Sequence, residues 1–578
     1  MEKVPESCIC YPVRTLKAGE VTYFNFELAK QMGLIPADHP RVLNAQLKQV
    51  LLDTFCLRIV NEFDLKTRKG FQGETVKPNK YMATRYLQLQ HPNKQGKTSG
   101  DGRSIWNGQV TCKGVTWDVS SRGTGVTKLA PGVIEAGQPL KTGSTKFGYG
   151  CGLADLDELY SAAIMSEIFA RQGVPTERVL CVISIGDGQG IGVRAHQNLI
   201  RPAHFFMYLK QGDSENLRKV VDLFIERQVA NRVWDITRGQ SRYVQLCHYV
   251  AKSFAQLAAR LEVDYIFVWM DWDGDNILAD GSIIDYGSVR QFGMRHDQYR
   301  YDDFDRFSTN LNEQRLKARE IVQTFVQMAD FLKTGRKKPV ADFARARELQ
   351  FFDEVFEDCR RRHLLYRVGM PGSAIDRILY RHLDKFESFE EVFHFFEKKK
   401  SSHGELRVPD GINRPAIYNM REVLRELPTL LIDNDCRPVP SEVLFELMVS
   451  SFAKREDRKM TPRIAERLQD LQRCYLDLIE SVRGRRGFLR YLGEIHARGR
   501  IINRHDRITG NAVTVVVEEI MEQKLSPHEI QTALDVFIAS QTTVAQNFNF
   551  VRKQLPKGFR PKIFKRMLEV VKEFREDI

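Results

Sequence analysis

At 578 residues the chain is long enough for two or more domains with ample buried core. A hydrophobic content of 42% and a charged content of 28% are those of an ordinary globular protein and exclude a disordered or fibrous chain. The formal charge of +13 is compatible with a nucleic-acid partner. However, the basic residues alternate with acidic ones in helical segments, and no aromatics are spaced along a basic strand, so nucleic acid is not the expected partner.

The N-terminus, MEKVPESCICYPVRTLKAG, has no apolar core and reads as neither a secretory nor an organellar signal. The longest apolar runs fall far short of a membrane span. The ten cysteines are scattered, only Cys8 and Cys10 lie close together, and metal-ligand spacing is absent. A reducing cytoplasm is the expected location, with no membrane partner.

Along the chain, the polar stretch 93–100 and the Gly/Thr-rich stretch 136–152 read as loops. Gly100-Asp101-Gly102-Arg103 precedes a strand expected over Gln109–Val119, and Ser120-Ser121-Arg122-Gly123-Thr124-Gly125 follows it. Glycines let backbone N–H groups approach phosphate, and arginine adds a bidentate fork, although each piece alone also makes a plain turn. Apolar residues at 156, 159, 160, 163, 164 and 168 mark an amphipathic helix over Leu156–Gln172, stopped by Gly173-Val174-Pro175. A strand is expected at Arg178–Ile185, then a hairpin turn at Gly186–Gly190. Arg194 and Arg201, seven apart, flank a turn before an aromatic-rich strand expected at His204–Leu209, and could clamp a polyphosphate. A second helix over Tyr243–Leu261 leads into a strand at Tyr265–Met270. From about residue 310 onward, long segments of helical periodicity are broken by Pro and Gly at 370–372, 409–415, 437–440 and 525–527, giving an all-α half.

The stretch 269–287, WMDWDGDNILADGSIIDYG, concentrates the most chemistry. Asp271, Asp273, Asp275 and Asn276 sit on one loop, and Asp285 follows nine residues after Asn276 in an Asp-Tyr-Gly turn. Such residues favour loops on backbone grounds alone. An Asn and an Asp offered from the two ends of a short hairpin also suit a Mg²⁺-bound nucleotide, because Mg²⁺ takes few protein oxygens and completes its octahedron with phosphate and water. His296, Asp297 and the acidic run Asp302–Asp305 show no catalytic spacing, and Cys151 has no His/Asn arrangement to make it a nucleophile.

In order and spacing these motifs resemble the selenoprotein O family, kinase-like protein adenylyltransferases, over roughly residues 95–295. The family's first Gly-Asp-Gly-Arg matches Gly100-Asp101-Gly102-Arg103, and its Lys-Gly-Ala-Gly matches Arg122-Gly123-Thr124-Gly125. Its second glycine motif matches Gly150-Cys151-Gly152-Leu153-Ala154, and its Ser-Glu and Gly-Ile-Pro-Thr match Ser166-Glu167 and Gly173-Val174-Pro175-Thr176. Its paired arginines match Arg194 and Arg201, and its Asp-Asn and Asp-Tyr-Gly match Asp275-Asn276 and Asp285-Tyr286-Gly287. The resemblance implies an α+β fold: a protein-kinase-like bilobal core over 1–310, then an all-α region over 311–578. It implies AMP transfer from Mg-ATP, with Mn²⁺ an alternative ion, to Ser, Thr or Tyr hydroxyls of acceptor proteins. Asp275 would be the base, and Asn276 and Asp285 the metal ligands. Gly100, Gly102, Arg103, Arg122, Cys151, Gly152, Arg194, Arg201 and Asp285 would contact the nucleotide.

The departures are specific. The family's ATP-contacting Lys is Arg122, with Lys128 nearby as a possible substitute, and the Asp of the second glycine motif is Cys151. The helix Glu falls, without a gap, at Ala162, with Glu158 one turn earlier, and no cysteine follows Cys474. Two alternatives stay open. Asp271, five residues before Asn276, has the Asp-to-Asn spacing of ordinary kinases and would serve γ-phosphoryl transfer. Loss of the Lys and the Glu would suit a nucleotide-binding scaffold without catalysis.

Overall fold

A computed structural model describes residues 4–67, 75–88, 91, 94–147, 151–239, 241–268, 270, 274–287, 289–296, 311–401, 415–451, 453–542 and 561–574. Its N-terminal half is built on an antiparallel sheet of β1 (Cys8–Thr15), β2 (Glu20–Phe24), β3 (Leu57–Ile59), β4 (Val76–Thr84), β5 (Ser104–Cys112), β6 (Val115–Arg122), β7 (Arg178–Gly186) and β8 (Gln189–His196). The order is β2-β7-β8-β6-β5-β4-β1-β3.

The expected strand over Gln109–Val119 is instead a hairpin, β5–β6. Lys113 and Gly114 take φ of 50° and 81°, the pair of left-handed residues a two-residue hairpin turn needs. The hairpin expected at Gly186–Gly190 is present, with Asp187 and Gly188 at 52° and 72°. The aromatic run at His204–Leu209 is not a strand but the centre of the helix Pro202–Gln211. A short run that is apolar on all sides reads equally as a buried strand or a buried helix. Here Pro202 at the first helical position and Gly212 in the left-handed conformation just past the end decide for helix.

Strand β8 shows how the sheet serves two layers. Ile191, Val193 and Ala195 face a cluster with Val21, Phe24 and Phe26. The alternating Gly190 and Gly192 face the helix Leu156–Gln172, where an added Cβ would come within 2.6 Å and 2.5 Å of Leu156 and Leu159. Period-two alternation then puts Arg194 on that same face, and pairing with β6 sets it beside Ser120, two residues from Arg122.

The helix Arg242–Asp264 extends the expected one by a few residues and ends with Tyr265 in the left-handed region. Among the described residues of the strand expected at Tyr265–Met270, β9 (Ile266–Phe267) alone pairs, with β10 (Arg290–Gln291). The C-terminal region is helical, as expected. The breaks at 370–372, 437–440 and 525–527 fall between helices, and most of 409–415 lies outside the described residues. Helices between 372 and 502 close their own core around Phe393, Leu427, Leu468 and Tyr475. The helices Ala512–Glu522 and Pro527–Ser540 return to the first half, where Val516, Leu534 and Phe537 join the core under the helix Leu156–Gln172. No described helix is long and apolar enough to cross a membrane.

Candidate active site

The turn Gly173–Thr176 that ends the helix Leu156–Gln172 is also a docking strip. Ile283 N donates to the Pro175 carbonyl at 3.0 Å, and Glu177 N donates to the Ile283 carbonyl at 2.9 Å. The hydroxyl of Tyr286 hydrogen-bonds Thr176 and donates to the Glu177 carbonyl at 3.0 Å. Asp285 is thus clamped between two anchored residues and held at φ 84°, a left-handed conformation a non-glycine residue adopts only when its surroundings impose it. Its Oδ1 accepts from Gly287 N at 3.3 Å.

The other end of the hairpin is fixed as firmly. Leu278 N donates to the Ser282 carbonyl at 2.8 Å and Ala279 N to the Ile200 carbonyl at 2.9 Å, so the loop bearing Asn276 is tied to the segment bearing Arg201. Arg201 Nη1 donates to the Asp275 carbonyl at 2.5 Å, and the guanidinium lies over the Tyr86 ring, 4.6 Å from its centroid. Burial opposes the charge of Arg201, but Tyr86 and Asp275 outweigh it and hold its pKa above the usual value. Arg194, fully buried on β8, stands 3.4 Å from the buried Glu177.

Arg103 and Arg122 meet at one carboxylate. Arg103 donates to both oxygens of Glu158 at 2.8 and 2.7 Å, and Arg122 Nη1 to Oε1 at 2.6 Å. The carboxylate that meets Arg122 is thus Glu158, in the first turn of its helix, whereas Ala162 at the gapless position is buried in the core. The Lys128 side chain is exposed and its backbone N donates to the Tyr11 hydroxyl, so the cation that meets Glu158 from this segment is Arg122 and not Lys128. Burial would raise the Asp285 pKa, but Arg122 and Arg103 override it and keep the carboxylate ionised well into acid.

The glycine motifs answer to packing. A Cβ on Gly100 would meet the Thr84 carbonyl at 2.1 Å, one on Gly102 the Ala130 Cα at 2.9 Å, and one on Gly152 the Val126 N at 2.0 Å. Cys151 is half-buried, and its carbonyl accepts from Gly143 N at 2.8 Å. Asp101 Oδ2 accepts from Thr84 N at 2.9 Å and Thr84 Oγ1 at 2.6 Å. His204 completes the relay: Nδ1 accepts from Arg201 N at 3.0 Å, which leaves Nε2–H to donate to Thr84 Oγ1 at 3.1 Å. Burial, then Arg201, pushes His204 down to about 3. Gly150, Asp271, Asp273, Asp297 and Asp302–Asp305 lie outside the described residues. His296 accepts from Ala416 N at 3.2 Å, a structural contact.

Glu177, Tyr86 and His204 were not legible as site residues. Glu177 directly follows the Gly-Val-Pro-Thr stop, the one local signal; the other two gain meaning only from long-range contacts. Among the described residues no group of three or more His, Cys, Asp or Glu side chains stands ready to hold a metal. An ionised Asp285 and the half-buried amide of Asn276 each offer a hard oxygen, the donor type that Mg²⁺ takes when it shares its coordination with phosphate.

Comparison with known proteins finds relatives that are named as nucleotide-transferring enzymes acting on proteins. The relatives are proteins named protein nucleotidyltransferase YdiU, of the selenoprotein O family, and the chain is a divergent relative of them. It is 28% identical over 218 residues to the one from Nitrobacter hamburgensis, a match covering 36% of this chain and 39% of that protein. The relatives from Bacillus cereus and Clostridium perfringens are 27% and 29% identical over 197 and 198 residues, each match covering 32% of this chain and 36% of the relative. The chain thus aligns with well under half the length of these relatives. No protein-family model matches it.

Proposed function

We propose that the protein is a Mg-ATP-dependent protein adenylyltransferase, with a kinase-like bilobal core over 1–310, a helical region over 311–578 and a cytoplasmic location. The observation that carries this reading is the junction of Arg103, Arg122 and Glu158 beside the ionised Asp285, in a chain whose relatives are protein nucleotidyltransferases.

Asn276 and Asp285 would hold Mg²⁺, or Mn²⁺, which supplies charge neutralisation on the phosphates. Arg194 and Arg201 grip the triphosphate, and Arg103 and Arg122 approach it once Glu158 has fixed their direction. The backbone around Gly100, Gly102, Cys151 and Gly152 borders the nucleotide. Asp275, its carbonyl pinned by Arg201, orients the acceptor Ser, Thr or Tyr hydroxyl and takes its proton. The hydroxyl oxygen forms a bond to the α-phosphorus, the bond from that phosphorus to the bridging oxygen breaks, and pyrophosphate leaves. Positioning and electrostatics supply most of the acceleration in such a reaction.

The test is incubation of the full-length protein with acceptor proteins and ATP labelled separately at the α- and γ-phosphates. Protein-bound α label, absent with Asp285→Ala, is the expected result. Label retained only from the γ position would replace the proposal with phosphoryl transfer. No label from either position, with Mg-ATP bound, would make the protein a nucleotide-binding scaffold.

A further inference from the structure

A polar cavity of about 320 Å³ lies outside the site described above. It opens between Gly293, two residues past β10, the start of the helix Met420–Asp433, and the turn 503–507 after the helix Phe488–Ile502. Its volume is at the lower end of small-molecule pockets, roughly 300–1,000 Å³.

Three arginines line it. Arg504 is committed to Asp506 through two nitrogens, at 2.6 and 2.5 Å. Arg421 donates through Nη2 to the Asp264 carbonyl at 2.6 Å, leaving its Nε buried without a partner. Arg507 differs from both. It is 4% exposed, its Nε is buried with no partner, and its guanidinium makes no hydrogen bond or ion pair with any described residue. The neighbouring acids make their ion pairs elsewhere, Asp264 with Arg260 and Glu422 with Arg425, although the Asp264 charge is still felt at Arg507. Burial pushes Arg507 down to about 10, with Asp264 opposing and Arg367 and Arg260 adding to the shift, so it remains a cation at neutral pH. Asn503, 1% exposed, leaves its Oδ1 buried without a donor.

The Asp264 carboxylate offsets only part of the burial of Arg507, and a buried guanidinium with no hydrogen-bond acceptor of its own is strongly unfavourable. A guanidinium whose fork faces a polar cavity matches phosphate oxygens bidentately. We infer that this cavity is a second anion site, which takes a compact phosphate group, inorganic or as a small monoester, on Arg507 and Arg421. The exposed Glu446 at the rim works against a long polyanion, which sets the preference for a compact one. The turn beyond Arg507 is already bonded to β10: Gly510 N donates to the Gln291 carbonyl at 2.8 Å and Gln291 Nε2 to the Ile508 carbonyl at 3.4 Å. A bound anion therefore braces the segment that follows Asp285-Tyr286-Gly287. This inference is independent of the reaction proposed above.

The test uses the full-length protein and inorganic phosphate against chloride at matched ionic strength, reading the thermal midpoint and amide exchange over 289–296. In the wild type, phosphate raises the midpoint in proportion to the logarithm of its concentration and slows that exchange. Arg507→Gln removes both responses and raises the phosphate-free midpoint, whereas Arg201→Gln in the cleft keeps both. Arg507→Lys, which retains the charge without the fork, folds and shows a weaker response, so the comparison survives if the Gln variant does not fold. No response in the wild type, or equal responses in both Arg507 variants and the wild type, overturns the inference. So does a response lost only with Arg201→Gln, which would place the anion in the cleft alone.

Discussion

Arg122 Nη1 lies 2.6 Å from Glu158 Oε1, and the same carboxylate receives Arg103. Burial would lift the pKa of Glu158, but Arg122 and Arg103 outweigh it and hold it below the usual carboxylate range. One anion thus aligns two cations that would otherwise repel each other. Glu158→Gln keeps the shape and removes the charge. Nucleotide transfer is expected to fall on the order of 10²-fold, chiefly in kcat, as donors lose their preorganisation. Steady-state kinetics with α-labelled ATP check this; a variant as active as the wild type would remove Glu158 from the site.

In the proposed reaction the Asp285 carboxylate and the Asn276 amide would be the oxygen donors to the metal. Asp285→Asn and Asn276→Ala are each expected to lower transfer by ~10²-fold or more, in line with loss of a single charge-stabilising group. Their unfolding midpoints should stay near that of the wild type, because Tyr286, Ile283 and Leu278 carry the hairpin's anchoring bonds. Chelation of divalent ions should stop transfer by the wild type, and added Mg²⁺ should restore it. Transfer that persists in a chelator would rule out the metal role.

The candidate site was legible where residues of the expected chemistry cluster in short motifs. The Asp-Asn and Asp-Tyr-Gly pair, the arginines of the glycine motifs and Arg194 with Arg201 announce themselves by residue type and spacing. Their partners do not, because Tyr86 and Arg201 are brought together by the fold alone. Glu158 stood one turn from the gapless position, and only the start of the helix at Leu156 shows that it is the residue that reaches Arg122. The fold was less legible at the N-terminus. Pro12 interrupts β1, and the register shifts between Tyr11 and Val13, so the alternation that marks a strand is broken. The β5–β6 turn stayed hidden because Lys113-Gly114 sits inside an unbroken run of strand-forming residues.

His204 links acidity to stability. Its ring is buried and neutral, with a folded pKa of about 3 against 6.5 for a free imidazole. The unfolded chain therefore binds a proton that the folded chain does not, and stability falls as pH drops from 6.5 towards 3. At pH 5 this one group removes about 2 kcal/mol relative to neutral pH. His363, pushed down to about 4 by burial and Arg260, adds to the same slope with a lower limit near that value. Denaturant unfolding at a series of pH values reads the slope. His204→Gln should flatten it between pH 6.5 and 3 while lowering stability at neutral pH, since Gln cannot match both the Arg201 and the Thr84 bonds. An unchanged slope in that variant would assign the acid sensitivity elsewhere.

The helix that carries Glu158 is supported from the far end of the chain. Phe537 and Leu534, on the helix Pro527–Ser540, are wholly buried in the core that also holds Leu159, Ala163 and Phe169 of the helix Leu156–Gln172. The same C-terminal helix reaches the sheet edge, where Gln531 Oε1 accepts from Phe24 N at 2.6 Å and Asp535 pairs with Arg41 at 3.1 Å. Phe537→Ala should cost about 3–5 kcal/mol, the usual range for emptying a buried aromatic site. Because the void lies beneath the helix that positions Glu158, transfer should decline at temperatures well below the unfolding midpoint. Leu489→Ala is the control: this residue is exposed on a helix outside the core beneath Glu158, so both stability and transfer should stay near those of the wild type. Thermal unfolding and kinetics measured on the same samples separate the effects. A Phe537→Ala protein that loses stability yet keeps full transfer up to its midpoint would show that the C-terminal helix supports the fold without supporting the site.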